Sequence, residues 1–210
     1  MQFITCSFWM LACWQLLARH SATKIPMPHK PSFKWPPVFS AGNDSCNADD
    51  FHLIEGMWLV TTQAKEIQSI IKLTIENGSD SKKATLHGEI YRAFKLKGKT
   101  LPVICEHGSK AYQGKPLRGL RIIHHLRPES SDWDTRWIRG RIFDPDYNRC
   151  YSAEARLIDP NTLKLTGSLL GIKRSVTWQR LSKDSVQLKQ LEQRAEHEHQ
   201  THLKLSNQRR

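Results

Sequence analysis

Two aspartates in RGRIFDPDYNRCY, residues 139–151, stand two positions apart and could form an acid–base pair. Such a pair, Asp144 and Asp146, is useful in catalysis only when an apolar pocket or a close neighbour shifts one pKa. The same residues suit a tight turn, because Pro145 presets φ and aspartate side chains accept hydrogen bonds from nearby backbone N–H groups. The next connection repeats Asp-Pro-Asn at residues 159–161. We therefore interpret the segment as an exposed turn with no source of a pKa shift.

Histidines are the other candidates for acid–base or metal chemistry. His124 and His125 are adjacent in an alternating segment, and a regular strand would point them to opposite faces, so they are not expected to form one site. His199 and His202 would share a helical face, but a mobile tail offers a metal ion no fixed geometry. No G-x-S-x-G, H-E-x-x-H or Walker sequence occurs. These patterns predict no enzyme, no metal site and no cofactor.

Short segments with two-residue alternation fill the middle of the chain and are separated by turn residues. This alternation is typical of strands that bury one face. Eight such segments in a row, with no convincing helix among them, predict an all-β domain over residues 51–181, either a sandwich or a closed antiparallel up-and-down barrel. The segments are residues 56–62, 67–75, 84–94, 117–126, 136–144, 149–158, 162–170 and 172–181.

The regions on either side of this domain differ from it in amino-acid composition. Residues 3–18 carry no charge and are shorter than the roughly 20 residues of a membrane-spanning helix, which suits an export signal. We expect residues 1–22 to be a signal peptide, with a short membrane anchor or a misassigned start codon as alternatives, and residues 23–50 to be a disordered linker. Residues 182–210 are rich in helix formers with a thin apolar stripe, which predicts a frayed helix or a disordered tail.

The formal net charge is +12, and most of the excess lies in the central region and not in a tail, since residues 51–181 hold 22 Lys or Arg against 13 Asp or Glu. A basic surface attracts nucleic acid, anionic lipid and anionic polysaccharide alike. Without a basic run or a nucleic-acid motif, no specific nucleic-acid partner is expected. If the signal is removed, Cys46, Cys105 and Cys150 remain, so at most one intrachain disulfide can form, and Cys105 could pair with Cys150.

Several short motifs follow one another in a fixed order. They are GMW at residues 56–58, KPLRG at 115–119, GRIFDPDYNRCY at 140–151, LKLTG at 163–167 and WQR at 178–180. The residues that carry them are Gly56, Trp58, Gly119, Gly140, Asp144, Pro145, Asn148, Tyr151, Gly167, Trp178 and Arg180. In this order they resemble the bacterial family known as domain of unknown function 2147, in which a glycine stands where this chain has Arg149. The resemblance implies export, a lipocalin-like barrel and no assigned activity.

Closure of such a barrel would bring its first and last strands together. Trp58 and Arg180 would then meet near one end, with the guanidinium over the indole face. An eight-stranded barrel has room inside for side chains or for one small ligand. The leading hypothesis is therefore an exported, periplasmic or envelope-associated protein that binds a small apolar or amphiphilic ligand. Polar contacts to the ligand are expected from Tyr151, Arg139, Arg141 and Arg180.

Two other functions are compatible with the same sequence. A basic face of the barrel could bind a polyanion such as an envelope glycan or nucleic acid, with an affinity that falls steeply as salt is added. An uncharacterised enzyme is the less favoured hypothesis, because no catalytic motif accompanies its candidate groups. Those groups are Asp144, Asp146, Tyr151 and one of His124 and His125.

Overall fold

Eight antiparallel strands and one helix make up the part of the chain that the computed structural model describes, residues 52–79, 83–129 and 136–208. The strands are β1 (Gly56–Thr61), β2 (Ile67–Glu76), β3 (Thr85–Ala93), β4 (Arg121–Pro128), β5 (Arg136–Asp144), β6 (Arg149–Asp159), β7 (Thr162–Leu169) and β8 (Ile172–Leu181), and the helix is α1 (Val186–Asn207). Each strand pairs with the next, and β1 pairs with β8, which closes the barrel. The predicted all-β up-and-down barrel is confirmed. The predicted signal peptide and linker lie outside the described residues.

The inner face of the barrel holds the apolar rows that alternation in the sequence predicted. On β6 and β7, Ala155 lies opposite Leu165 and Leu157 lies opposite Leu163, and all four side chains are buried. Burial of rows such as these stabilises the fold by about 25 cal/mol for each Å² of apolar surface removed from water.

Arg180 holds the seam between the first and last strands. It lies opposite Trp58 in the strand register, and its guanidinium carbon is 4.3 Å from the centre of the indole ring. The guanidinium also donates hydrogen bonds to the backbone carbonyls of Pro160 at 2.6 Å, Glu55 at 2.7 Å and Leu53. The predicted meeting of Trp58 and Arg180 is confirmed, and Arg180 has a structural role at this closed end.

A short 3₁₀ turn at residues 52–54 covers the same end of the barrel. The Trp58 indole N–H donates to the carbonyl of Ile54 at 3.0 Å, and Ile54 itself is buried. The carboxylate of Glu55 accepts a hydrogen bond from the backbone N–H of Ile75 on β2 at 2.7 Å. Backbone groups that would otherwise face the interior are therefore satisfied, and this end is closed to solvent.

Gly140 allows β4 and β5 to approach closely in the middle of the sheet. A Cβ atom at this position would lie 2.4 Å from Cγ of Leu126 and 2.8 Å from the carbonyl oxygen of His124. The register of β5 against β6 shifts between Trp137 and Gly140, and Arg139 takes a positive φ of 61° within that shift. A bulge of this kind bends a strand and turns side chains away from the simple alternation.

Helix α1 packs against the outside of the barrel. Its apolar stripe, Leu188, Leu191 and Ala195, is buried against an outer patch formed by Leu59, Ile70, Phe94 and Leu181. Ser185 caps the helix by accepting a hydrogen bond from the N–H of Leu188 at 3.1 Å. The helical alternative predicted for the tail is confirmed over these residues, and the disordered alternative is wrong for them. In the described part of the chain, no helix combines the length and the apolar character needed to span a bilayer.

Replacing Arg180 by lysine is expected to lower the free energy of unfolding by about 2–4 kcal/mol, because one ammonium group cannot serve three carbonyls and an indole face together. Urea denaturation followed by far-ultraviolet circular dichroism measures the change. The matched control is Arg156→Lys, at an exposed outer position of β6, with an expected change below about 0.5 kcal/mol. Equal effects of the two substitutions would contradict the role given to Arg180.

Candidate functional site

The end of the barrel opposite Arg180 leaves part of its inner wall exposed. Val176 on β8 lies opposite the buried Leu165 and therefore faces inward, yet 47% of its surface is exposed. Ile172 lies opposite Leu169 in the same inward row and is 65% exposed. We call this region the mouth. Its residues are Ile142, Tyr151, Gly167, Leu169, Ile172, Arg174 and Val176.

A short seam between β1 and β8 produces this opening. Only residues Met57–Leu59 of β1 pair with β8, and their partners are Gln179–Leu181. By contrast, β7 pairs with β8 along its whole length, from Thr162 to Leu169. Within the described residues, the part of β8 that precedes Gln179 therefore has a strand on one side only. The inward row of β8 is uncovered there.

Gly167 leaves space beside Tyr151 in the wall of the mouth. A Cβ atom at Gly167 would lie 3.6 Å from Cβ of Tyr151 and 4.0 Å from Cγ2 of Ile142, so all three positions face the same space. Burial raises the pKa of the Tyr151 hydroxyl, which therefore stays protonated at neutral pH and can donate a hydrogen bond.

Trp178 supplies a polar group at the base of the mouth. It lies two residues from Val176 on β8, opposite Leu163 on the inner face, and only 3% of its surface is exposed. Its indole N–H is buried and has no hydrogen-bond partner among the described residues. A buried donor left unpaired costs about 1–3 kcal/mol, so a ligand acceptor at this position would recover that energy.

The structure does not bring together the four residues predicted to contact a ligand. Tyr151 lies in the mouth, whereas Arg180 lies at the closed end. Arg141 lies opposite Ser152, is exposed and points away from the interior, and Arg139 is exposed within the bulge of β5. The prediction of one site is therefore corrected, because alternation and the bulge send these arginines elsewhere. The mouth instead contains Arg174. It lies four residues before Trp178 on β8 and therefore on the same inner face, a spacing that the sequence offered but that did not enter the prediction.

The aspartates of the 139–151 segment shape the β5–β6 turn. Oδ1 of Asp144 accepts hydrogen bonds from the backbone N–H groups of Asp146 at 3.0 Å and Tyr147 at 3.2 Å. Asn148 takes a positive φ of 51°, so the turn does not need a glycine at Arg149. The interpretation as a turn is confirmed.

The expectation that this turn has no source of a pKa shift is wrong. Asp144 is 6% exposed, and burial raises the pKa of its carboxyl even though two backbone N–H groups favour the charged form. Burial, with repulsion from the Asp144 carboxylate second, raises the pKa of Asp146 to about 6. Tyr112 from the long β3–β4 connection stacks on Phe143 at 3.9 Å between ring centres, so that connection packs beside the turn.

Both remaining cysteines in the described part of the chain are free thiols. Cys105 is buried, its thiol donates a hydrogen bond to the carbonyl of His107 at 2.7 Å, and burial raises its pKa. Cys150 is exposed at the start of β6. The disulfide that these two could have formed is therefore absent, and Cys46 lies outside the described residues.

Three histidines meet on the outer wall, which the sequence had not led us to expect. His87 on β3 faces both His124 and His125 on β4, because the register between the strands shifts between Leu86 and Gly88. One ring nitrogen of each histidine lies within 4.8 Å of the others. The expectation that His124 and His125 point to opposite faces is wrong, since His125 takes a positive φ of 54° in the bulge.

Charged and hydroxyl groups surround these histidines. Nε2 of His87 lies 3.3 Å from a carboxylate oxygen of Glu76 and 3.0 Å from the hydroxyl of Thr85. Arg121 donates to the other oxygen of Glu76 at 2.7 Å and lies 3.4 Å from Nδ1 of His87. Burial lowers the pKa values of His87 and His124, so both imidazoles are neutral at neutral pH.

A family model described as an uncharacterized protein conserved in bacteria (DUF2147) matches residues 56–180. The chain belongs to this family. The DUF2147 match begins at Gly56 and ends at Arg180, and so includes both strands of the seam that closes the barrel. The curated proteins contain no match to this DUF2147 chain.

The fold of this DUF2147 protein is similar to that of a lipocalin. The solved structure of protein HP1028 from the human pathogen Helicobacter pylori, described as belonging to the lipocalin family, superposes with a TM-score of 0.51. The two chains are 14% identical, and the match covers 66% of this chain and 88% of the other. At this level of identity the likeness shows a shared fold and carries no function with it.

Replacing Asp146 by asparagine is expected to raise the melting temperature at pH 7.5. The pKa of Asp146 is about 6 in the folded protein, so as pH rises from about 4 to 6 the carboxyl of the unfolded chain loses its proton before that of the folded chain. The free energy of unfolding therefore falls over this pH range and stays lower at higher pH. Asparagine removes this loss of stability. Because the Asp146 side chain is exposed at the protein surface, solvent screening reduces the effect and only its sign is predicted.

Thermal denaturation of the Asp146→Asn variant from pH 3.5 to 8 tests this. The gain should vanish near pH 3.5, where both states of the parent protein hold the proton. Asp159→Asn, the same substitution in the β6–β7 turn, controls for the general effect of removing a negative charge. A gain of equal size at every pH would contradict the assignment.

Proposed function

We propose that this DUF2147 protein is an exported or envelope-associated carrier that binds a small amphiphilic molecule at the mouth of its barrel. The observation that carries the proposal is the exposed apolar inner wall above the unpartnered indole N–H of Trp178. Small-molecule binding sites in proteins are commonly concave and mostly apolar, with a few polar groups that fix the orientation of the ligand. The uncharged stretch at residues 3–18 supports the export part of the proposal.

The wall of the mouth indicates the chemical class of the ligand. Leu169, Ile172 and Val176 offer aliphatic surface for a hydrocarbon chain. Tyr151, Arg174 and the indole N–H of Trp178 can all donate hydrogen bonds. A cationic donor next to two neutral donors favours an acceptor that carries negative charge. A long-chain carboxylate meets both requirements.

The basic outer wall favours a second candidate, the binding of a polyanion. Arg139 and Arg141 are exposed on β5, and Arg156 on β6 lies opposite Lys164 on β7, which places like charges side by side. Such binding would lose affinity steeply with added salt, because each phosphate or carboxylate contact releases counterions. Binding of an amphiphile through apolar surface would depend on salt much less.

Replacing Gly167 by phenylalanine is expected to weaken the binding of a fluorescent long-chain fatty acid by at least about tenfold, because the ring would fill space that Tyr151 and Ile142 share with the ligand. A fluorescence titration of the full chain measures the affinity. Ser168→Phe, one residue along β7 and on the opposite face, is the matched control and should bind like the parent protein. Equal affinity of the Gly167→Phe variant, or no binding by the parent protein at 100 micromolar probe, would overturn the proposal.

Replacing Arg174 by glutamine is expected to remove a preference for charge. The parent protein should bind a long-chain fatty acid about tenfold more tightly than the alcohol of equal length, since charge-assisted hydrogen bonds are roughly twice as strong as neutral ones. In the variant, the two affinities should become equal. Competition titrations at 50 and 500 millimolar salt provide the measurement. A preference that persists in the variant would exclude Arg174 as the headgroup contact, and loss of all binding at high salt would favour the polyanion candidate.

A further inference from the structure

We propose that His87, His124 and His125 form a binding site for a divalent transition-metal ion, Zn²⁺ or Cu²⁺, on the outer wall of the barrel. Imidazole nitrogen is a preferred ligand of both ions, and three imidazoles leave one coordination position for water or a further ligand. The site faces away from the barrel interior. It is therefore independent of the ligand proposed for the mouth.

The distances place the three side chains close to a ligating arrangement. One ring nitrogen of each lies within 4.8 Å of the others. Nitrogens bound to one tetrahedral zinc ion lie about 3.3 Å apart, as follows from Zn–N bonds of about 2.0–2.1 Å. The required contraction is therefore about 1.5 Å at most. Of the three side chains only that of His125 is exposed, so it is the one most able to rotate toward a bound ion.

Two of the histidines are held in place by the surrounding fold. His87 is 1% exposed beneath the Glu76 and Arg121 side chains. His124 hydrogen-bonds to the backbone of Arg121, and its Nε2 atom lies 2.9 Å from the hydroxyl of Tyr112; an ion bound to Nε2 would take the place of that hydroxyl and leave the backbone bond to orient the ring. Partners of this kind fix the orientation of metal-ligating histidines. A site on two paired strands is also more precise than one on a mobile tail.

The bulge in β4 is what assembles the cluster. Ile123 lies opposite Gly88 and Leu126 lies opposite Leu86, so Ile123 and Leu126 both face inward. Between these two pairs β4 has two residues, whereas β3 has only one, His87. Those two residues, His124 and His125, consequently lie on the outer side with His87. A regular strand would have carried one of them into the apolar interior.

Glu76 and Arg121 give the site opposing electrostatic contributions. The Glu76 carboxylate is 3.3 Å from His87 and would attract a cation, either as a further ligand or as a balancing charge. The Arg121 guanidinium, 3.4 Å from the same ring, would repel it. Arg121 is partly exposed and can swing into solvent when the ion binds. If the three rings only packed against one another, replacing Glu76 and replacing Arg121 would not change Zn²⁺ affinity in opposite directions.

Titration of Zn²⁺ into the full chain by calorimetry, after removal of metal with a chelator, tests the site. The background carries His199→Ala and His202→Ala, which removes the histidine pair on α1. One ion per chain is expected. His125→Asn should weaken binding by at least about a hundredfold, beyond the tenfold to hundredfold effect of losing an outer partner. Asparagine also tolerates the positive φ at this position, so the fold is kept.

The charge variants separate a metal site from a packing role. Glu76→Gln should weaken Zn²⁺ binding by about tenfold, and Arg121→Gln should strengthen it by about tenfold. His52→Ala, at an exposed histidine outside the cluster, should leave the affinity unchanged. Zn²⁺ should also raise the melting temperature of the background protein and not that of the His125→Asn variant.

Three results would overturn the proposal. They are no binding below 100 micromolar Zn²⁺, binding that survives His125→Asn, and binding that disappears when only His199 and His202 are replaced. If His87→Gln, used as a second ligand variant, fails to fold, the comparison of His125→Asn with the two charge variants still decides the question.

Discussion

The contact between the Arg180 guanidinium and the Trp58 indole joins the last strand of the barrel to the first, and the remaining architecture depends on it. This one side chain stacks on a ring and satisfies three backbone carbonyls, so strand closure, the 3₁₀ turn and the β6–β7 connection are tied at a single point. Each hydrogen bond from a charged donor contributes about 1.5–3 kcal/mol. Closure at this point also fixes which residues of β8 face inward.

Because the seam is fixed at one end only, the two ends of the barrel differ. The closed end is filled by Trp58, Ile54 and neighbouring side chains, and its polar backbone groups are paired. At the other end β8 continues past β1, and inward residues such as Val176 meet solvent. The asymmetry gives the interior a floor and an opening, which is the arrangement that a carrier of one small molecule requires.

The sequence was sufficient to predict the strands and their closure. Eight alternating segments predicted a sandwich or a barrel, and the motifs that resemble DUF2147, with Gly56 and Trp58 at one end and Arg180 at the other, favoured the barrel. The thin stripe Leu188, Leu191 and Ala195 predicted either a frayed helix or a disordered tail. The site was less predictable, because side-chain direction depends on register. The bulges opposite His87 and next to Gly140 reverse the expected direction of nearby residues, and no local propensity encodes them. The burial of Asp144 was likewise missed, since it comes from tertiary packing.

The outer and inner walls of the barrel thus present two different chemistries on one scaffold. Apolar surface with a few donors lines the mouth, whereas imidazoles and a carboxylate meet outside β3 and β4. Both depend on strand positions that closure fixes. The scaffold can therefore hold each set of groups in place without loops of uncertain geometry.

The most direct measurement of the central claim is the nuclear magnetic resonance signal of the Trp178 indole N–H, assigned from its loss in Trp178→Phe, during titration with a long-chain fatty acid. We expect a saturable shift of this signal, because the unpartnered donor gains an acceptor, whereas the signal of the Trp58 indole N–H, which is already bonded to Ile54, should stay in place. A Trp178 signal that does not move while the fatty acid binds would exclude the mouth of the barrel as the binding site.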